Sequence, residues 1–165
     1  MEVQRARITR QLADIKENKE KDIVAASDLL QDLAVETFGS MERREKTDFI
    51  LEQMRLLYLS KNWDKLAITS KKINTRWFTE ENSDLKLRYY NLMVLYALQH
   101  DKYLDASNYH KAMFDTPSVQ ADEQAWKAAL RNAIFFVILA GYDNEQHDLL
   151  ARLSKEDKLP QMPEC

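Results

Sequence analysis

The sequence contains little of several residues that common classes of protein need. It has two glycines and three prolines among 165 residues. Tight hairpins, phosphate-binding loops and dinucleotide-binding turns all require glycine, so these classes are disfavoured. A single cysteine, Cys165, excludes an internal disulfide and is typical of a reducing cytoplasmic or nuclear setting. The longest apolar run, residues 133–140, is far shorter than the roughly 20 residues that span a membrane.

Positive charge is also in slight deficit. The chain has 24 basic and 27 acidic residues, a formal net charge of −3 at pH 7 and a pI near 5.7. Nucleic-acid binding needs a basic surface, so nucleic acid is not expected as a partner. A membrane is not expected either, because the apolar runs are too short. With 45% hydrophobic residues, the chain is expected to fold as one domain with a buried core.

The placement of glycine and proline predicts an all-α fold. Gly39 and Gly141 each follow a helix-favouring run, where a helix closes in a left-handed cap, and Pro117 follows Thr116 as at a helix start. Apolar spacing predicts about eight helices, at residues 2–17, 21–37, 41–60, 63–77, 84–99, 102–114, 119–139 and 144–155. The predicted N-caps are Ser40, Asn62, Ser83 and Asp143. Residues 159–165 are expected to form a frayed tail.

A repeat of 40 residues is the most informative pattern. Three columns share this period, one at helix starts and the others three and ten positions later. Their members are Ile23, Trp63 and Tyr103; Ala26, Leu66 and Ala106; and Leu33, Ile73 and Met113. Such repeats stack helical hairpins on one another, because one hairpin cannot bury its apolar face alone. Residues 1–158 are therefore predicted to form a right-handed α-solenoid of TPR-like hairpins, the fourth degenerate; an ordinary helical bundle is the alternative.

Apolar stripes are predicted to form the buried face of the first helix of each hairpin. The first and last such stripes are Ile8/Leu12/Ile15 and Trp126/Leu130/Ala133/Val137. The partner helix of the last hairpin keeps Leu150 and Leu153 in register, and its apolar stripe is Leu149/Leu150/Leu153. Charged side chains around the first stripe, among them Arg5, Arg7 and Arg10, are predicted to form the polar outer face that a terminal unit needs. We expect the chain to fold alone and remain monomeric.

The sequence contains no catalytic or metal-binding pattern. His100, His110 and His147 are too far apart to share a helix face, and there is no cysteine pair. Cys165 lies in the terminal segment, where nothing orients a base toward it. The sequence therefore predicts a non-enzymatic protein without metal or cofactor, whose function lies in its surface.

One cluster is a candidate for contact with a protein partner. Lys71, Lys72 and Arg76 precede Trp77, so an anionic partner could be bound there. The alternative is structural, because cations also stabilise the C-terminus of a helix.

Longer runs of sequence resemble a known family. They include residues 2–17 (EVQRARITRQLADIKE), 35–56 (VETFGSMERREKTDFILEQMRL), 68–78 (ITSKKINTRWF) and 86–93 (KLRYYNLM), together with 109–117 and 135–150. These runs resemble the PCI-type lid subunits of the 26S proteasome regulatory particle. In such subunits a helical-repeat arm precedes a winged-helix module, and we expect this chain to correspond to the arm alone.

The resemblance implies a non-catalytic scaffold that contacts other lid subunits and base or core subunits, in the cytoplasm and nucleus. A TPR-type peptide-binding adaptor is one alternative, although it needs a regular column of cationic side chains that the repeats do not show. A scaffold subunit of the related COP9 signalosome is another.

Overall fold

A computed structural model describes residues 1–163, and helices make up all the regular secondary structure of this part of the chain. The α-helices are α1 (Glu2–Asn18), α2 (Ile23–Gln31), α3 (Arg43–Leu59), α4 (Trp63–Ser70), α5 (Ser83–Gln99), α6 (Tyr103–Phe114), α7 (Pro117–Gln120), α8 (Glu123–Leu139) and α9 (Asn144–Ser154). Short 3-10 turns lie at Val35–Thr37, Thr75–Trp77, Glu80–Asn82 and Leu159–Gln161. The predicted all-α class is confirmed.

The chain divides into two compact units. Unit 1 is Met1–Phe78, and unit 2 begins at Thr79. In unit 1, α1 pairs with α2 and α3 with α4, while α2 packs on α3. In unit 2, α5 pairs with α6 and α8 with α9, while α6 packs on α8 and the short α7 contacts both. The predicted hairpins are thus present within each unit, and their right-handed stacking along the whole chain stays a prediction.

Three predicted helices differ from the observed ones. The helices predicted at 21–37 and 63–77 end early, at Gln31 and Ser70, and a 3-10 turn follows each. Leu33 and Ile73 are nevertheless buried, because apolar spacing continues through turns that also face the core. The helix predicted at 119–139 is two helices, since the side chain of Asp122 accepts backbone N–H groups and starts α8 after α7.

The 40-residue repeat corresponds to one type of turn that occurs three times along the chain. Lys21, Lys61 and Asp101 all adopt the left-handed region, with φ of 57°, 58° and 55°, and each lies two residues before the first residue of α2, α4 or α6. Neither Gly39 nor Gly141 has a positive φ, so the prediction that they form left-handed caps is wrong. The repeat places charged residues, rather than glycine, in this conformation.

The backbone hydrogen bonds of these turns close the preceding helix. The N–H of Asn62 donates to the carbonyl of Leu57 at 2.9 Å, and that of Lys102 donates to Ala97 at 2.8 Å. Bonds of this span satisfy carbonyls that a helix C-terminus otherwise leaves without donors.

The predicted N-caps divide evenly between right and wrong. Asn62 and Asp143 are confirmed, because their side chains accept the N–H groups of Lys65 and Gln146. Ser40 is wrong because α3 begins only at Arg43, and Ser83 is wrong because it is the first residue of α5. A turn in which Thr79 and Asn82 bond reciprocally precedes α5 instead.

The core of unit 2 confirms most of the predicted stripe and corrects the tail. Trp126, Leu130, Ala133 and Val137 are buried together with Leu153 of α9. Of the stripe predicted for α9, Leu149 and Leu153 are buried, whereas Leu150 is 37% exposed. Met162 is 5% exposed in the same cluster, so the expectation of a frayed end is corrected for the described residues.

The N-terminal helix is oriented differently from its prediction. Ile8, Leu12 and Ile15 are 65%, 43% and 43% exposed, whereas the small Ala6 and Ala13 are buried. The predicted outer face points inward in part: Arg7 binds Glu45 of α3 at 2.7 Å and Arg10 binds Asp48 at 2.5 Å. The buried stripe predicted for this helix is therefore wrong, because ion pairs rather than large apolar side chains join α1 to α3.

Candidate protein-contact site

A groove of about 300 Å³ lies in unit 1 between the start of α3 and the segment that follows α4. Its walls carry charged and aromatic side chains, and we call it the basic groove. These residues are Glu36, Arg43, Lys46, Lys72 and Trp77. Its floor is apolar and buried, formed by Met41, Ile50 and Ile73.

Local sequence explains how the walls are placed. Arg43 and Lys46 are three residues apart at the start of α3, so they lie on the same helix face. After α4 ends, the buried Ile73 fixes the chain against the core. The side chain of Asn74 then accepts the N–H of Arg76 at 3.0 Å and holds the 3-10 turn that carries Trp77.

The electrostatics of the groove are unbalanced. Lys72 Nζ lies 2.8 Å from Glu36 Oε1, and both side chains are about one third exposed. The guanidinium of Arg43 lies over the ring of Trp77, 5.3 Å from its centroid. Within residues 1–163, Arg43 and Lys46 form no ion pair, so the walls hold three cations against one carboxylate.

The structure brings together two of the four predicted contact residues. Lys72 and Trp77 line the basic groove, whereas Lys71 and Arg76 are exposed on the same segment without lining it. Sequence analysis missed Glu36, Arg43 and Lys46. The three-residue spacing of Arg43 and Lys46 is visible in the sequence and places both on one helix face. The packing of residues 71–77 against α3 is tertiary and is not visible there. The contact role of all four residues stays a prediction.

Unit 2 carries a second exposed surface, which we call the apolar stripe. Phe135, Ile138 and Leu139 are 54%, 64% and 47% exposed, with the i, i+3, i+4 spacing of one face of α8. Tyr142, which follows the end of the helix, is 86% exposed and completes the set. A cavity of about 490 Å³ adjoins Tyr142, and Asp101, Asp105 and Asp143 are among its lining residues. Acidic side chains therefore border this surface, in contrast to the basic groove.

The histidines do not form a site in the described chain. His110 is 9% exposed and stacks on Phe136, with ring centroids 5.5 Å apart, and burial lowers its pKa. The Nδ1 atom of His100 lies 2.9 Å from the carbonyl oxygen of Tyr96, and His147 is exposed. Cys165 lies outside the described residues.

One group of carboxylates lies close enough together to hold a metal ion, namely Asp14, Glu17 and Glu52. The guanidinium of Arg55 donates to both Glu17 and Glu52, which offsets part of their negative charge and lowers the pKa of Glu17. This group therefore serves as an ion-pair network between α1 and α3. Among the described helices, none is both long enough and apolar enough to cross a membrane.

The fold and its surfaces define a protein of paired helices that presents a charged groove and an apolar stripe. A family model described as "PSMD12/CSN4, N-terminal" matches residues 1–122. The chain belongs to this family. The predicted resemblance to proteasome lid subunits is thereby confirmed.

Curated relatives agree with the family model. The "26S proteasome regulatory subunit rpn501" of Schizosaccharomyces pombe is 42% identical over 164 residues, which are 99% of this chain and 37% of the relative. The "26S proteasome regulatory subunit RPN5" of Saccharomyces cerevisiae is 38% identical over 163 residues, 98% and 36% of the two chains. The "26S proteasome non-ATPase regulatory subunit 12" of Dictyostelium discoideum is 39% identical over 154 residues, 93% and 34% of the two chains. This chain therefore spans little more than a third of the length of these relatives.

Proposed function

We propose that this chain is a non-catalytic scaffold segment of the lid of the 26S proteasome regulatory particle. In this role residues 1–158 act as one helical-repeat arm, in the cytoplasm and nucleus. The arm supports ubiquitin-dependent protein degradation by contacting other lid subunits and base or core subunits. The observation that carries the proposal is the family match over residues 1–122, together with relatives that are named as 26S proteasome regulatory subunits.

Two features of the surface support a role in protein contact. Contiguous exposed apolar side chains often mark protein interfaces, and the apolar stripe of unit 2 is such a patch. The basic groove of unit 1 adds a charged site of opposite character. Scaffold proteins act through surfaces of this kind and need no reacting group.

The alternatives are less well supported. A TPR-type peptide adaptor would use cationic side chains from successive repeats, whereas the basic groove draws its cations from α3 and from the segment after α4. The family model names CSN4 as well as PSMD12, but the three relatives described above are proteasome subunits. The proteasome is therefore favoured over the COP9 signalosome.

Affinity purification tests the assignment. The full-length protein that contains this sequence is tagged in its own cells, and the proteins that co-purify are identified by mass spectrometry. We expect subunits of the 26S regulatory particle in near-equal amounts. The tag expressed alone is the control. Recovery of signalosome subunits, or of a chaperone or signalling protein without proteasome subunits, would contradict the proposal.

The absence of catalysis has its own test. The purified chain is incubated with a ubiquitin conjugate, and the products are followed by electrophoresis. We expect no turnover. Cleavage that persists through further purification would show that the chain is an enzyme.

A further inference from the structure

We propose that the basic groove binds an acidic peptide segment of a partner protein. A carboxylate of that segment is held by Arg43 and Lys46, and a neighbouring apolar side chain lies against Trp77 and the groove floor. The proposal deepens and rests on the proposed function, because it names the chemistry of a partner at the candidate contact site.

Charge complementarity is the first argument. The groove walls carry Arg43, Lys46 and Lys72, and Glu36 is the carboxylate that lines them. The whole chain has a net charge of −3, so this positive groove opposes the overall balance of the molecule. A local field of one sign raises the concentration of ligands of opposite charge and selects against ligands of like charge.

The stacking of Arg43 is the second argument. The centre of its guanidinium lies over the Trp77 ring, 5.3 Å from the ring centroid, and this contact restricts the motion of the side chain. Cation–π contact uses the face of a guanidinium, whereas its N–H donors lie along the edge and still match the two oxygens of a carboxylate. An arginine that is already positioned loses less conformational entropy when a ligand binds.

Glu36 gives a third argument from inside the groove. Its carboxylate already binds Lys72 at 2.8 Å, so the walls accept a carboxylate of this chain at one position. A carboxylate of a partner would take the equivalent role beside Arg43 and Lys46, which form no ion pair within the described residues. Neighbouring cations of this kind favour a ligand with negative charge at closely spaced positions.

The size and floor of the groove define the remainder of the ligand. A cavity of about 300 Å³ is at the lower end of the range for ligand pockets and accommodates a few side chains rather than a folded domain. Met41, Ile50 and Ile73 form a buried apolar floor, which favours an aliphatic or aromatic side chain between the acidic ones. The preferred occupant is thus a short segment in which acidic residues flank an apolar one.

Fluorescence anisotropy of a labelled peptide tests the proposal on the full chain. The probe is a fluorescein-labelled peptide with four glutamates around a central leucine, and the reference peptide has glutamine at each glutamate. The groove variant is Lys46→Glu with Lys72→Glu. The matched control is Arg5→Glu with Lys65→Glu, which makes the same change in net charge at exposed positions outside the groove.

We expect the groove variant to lose about tenfold or more in affinity for the probe, since two charge-assisted contacts become repulsive. The matched control is expected to change by less than about twofold, because exposed charges far from a ligand are screened by salt. Trp77→Ala should lose affinity for the leucine-containing probe more than for a peptide with alanine at its centre. Lys46→Gln with Lys72→Gln provides the same comparison if the reversed charges impair folding, which circular dichroism reports.

Several outcomes would overturn the proposal. Equal losses in the groove variant and the matched control would show general attraction between charges. Tighter binding of a single-stranded oligonucleotide than of the peptide would assign the groove to nucleic acid, and failure of the folded chain to bind the probe would refute it directly. If the full-length protein still co-purifies with the regulatory particle in these cases, the proposed function stands while the groove proposal falls.

Discussion

The α1–α3 contact of unit 1 and the α6–α8 contact of unit 2 are held together by different means. In unit 1, ion pairs join α1 to α3 with one recurring offset of 38 residues: Arg7 with Glu45, Arg10 with Asp48, and Glu17 with Arg55. In unit 2, α6 and α8 meet through close packing. Ser107 donates a hydrogen bond of 2.6 Å to the carbonyl of Ala133, and the rings of Tyr103 and His110 stack on Phe136.

This difference has energetic consequences. Ion pairs that remain partly exposed contribute about 0–1 kcal/mol each and weaken with salt. Buried apolar surface contributes about 25 cal/mol per Å² and is not screened. We therefore expect α1 to be less strongly held than α8, and expect the α1–α3 contact to respond to salt and acid more than the α6–α8 contact does.

The largest expected effect compares two leucines that the sequence placed in equivalent stripes. Leu130 of α8 is fully buried, whereas Leu12 of α1 is 43% exposed. Leu130→Ala should cost about 2–5 kcal/mol of the free energy of unfolding, because it leaves a cavity in a packed core. Leu12→Ala should cost less than about 0.5 kcal/mol, as is usual for exposed positions. Urea unfolding followed by circular dichroism measures both, and equal costs would show that α1 is buried as its stripe predicted.

Apolar spacing predicted the fold well for a definite physical reason. Columns such as Ala26, Leu66 and Ala106 are buried where helices pair. Their 40-residue period is therefore visible in the sequence even where the turns between the helices differ. The same reasoning failed for α1. The periodicity of α1 identified an apolar face and a charged face. It did not show that acidic side chains of α3 form ion pairs with the charged face.

The basic groove was only half predictable. Lys72 and Trp77 are adjacent enough in sequence to be noticed together, and a cluster of cations beside an aromatic residue is a local signal. Arg43 and Lys46 join them only through tertiary packing, which spacing within one helix does not encode. The left-handed turns were missed for another reason, because lysine and aspartate occupy positions where glycine is the usual indicator.

The second effect tests the ion pairs of unit 1. Arg55 binds Glu17 and Glu52, and the side chain of Glu52 is only 9% exposed. Arg55→Met should destabilise unit 1 by about 1–3 kcal/mol, between the values for exposed and buried pairs, because it leaves a carboxylate without its cation. Lys127→Met is the matched control, since Lys127 pairs with Glu123 within a single helix. Hydrogen exchange of α1 and α3 peptides measures the change.

The pH dependence of stability provides a second test of the ion pairs between α1 and α3. The hydrogen bond from Arg55 lowers the pKa of Glu17, and the one from Arg7 lowers the pKa of Glu45. These carboxylates therefore stabilise unit 1 above their unfolded pKa of about 4.3, and the contribution is lost as pH falls through the lower folded values. Protection of α1 should fall in this window, and less steeply in Arg55→Met. Identical slopes would show that Glu17 is not coupled to folding.

The third effect concerns the turn that both units share. Lys61 has a φ of 58°, a conformation that costs a residue with a side chain about 1–2 kcal/mol. Lys61→Gly should therefore raise stability by about 0.5 kcal/mol after the entropy of glycine in the unfolded chain is subtracted. Lys65→Gly, inside α4, should lower stability by about 1 kcal/mol. Thermal melts of both variants give the comparison, and a loss of stability in Lys61→Gly would contradict the strain.

The smallest effect is a response of unit 2 to mild acid, above the pH range in which Glu17 and Glu45 of unit 1 lose their contribution. His110 lies in α6 against Phe136, and burial lowers its pKa below the ordinary value of about 6.5. The unfolded chain then binds a proton that the folded chain does not, so stability is complete above about pH 6.5 and falls below it until the folded pKa is reached. Between pH 7.5 and 5.5 the protection of α6 peptides from hydrogen exchange should decline.

His110→Phe keeps a ring against Phe136 and should remove this decline, whatever it does to stability at neutral pH. His147→Gln, at an exposed position, should leave the decline unchanged. An equal decline in His110→Phe and the parent chain would show that another group causes the acid response, and the contrast between the ion-paired α1–α3 contact and the closely packed α6–α8 contact would then not extend to mild acid.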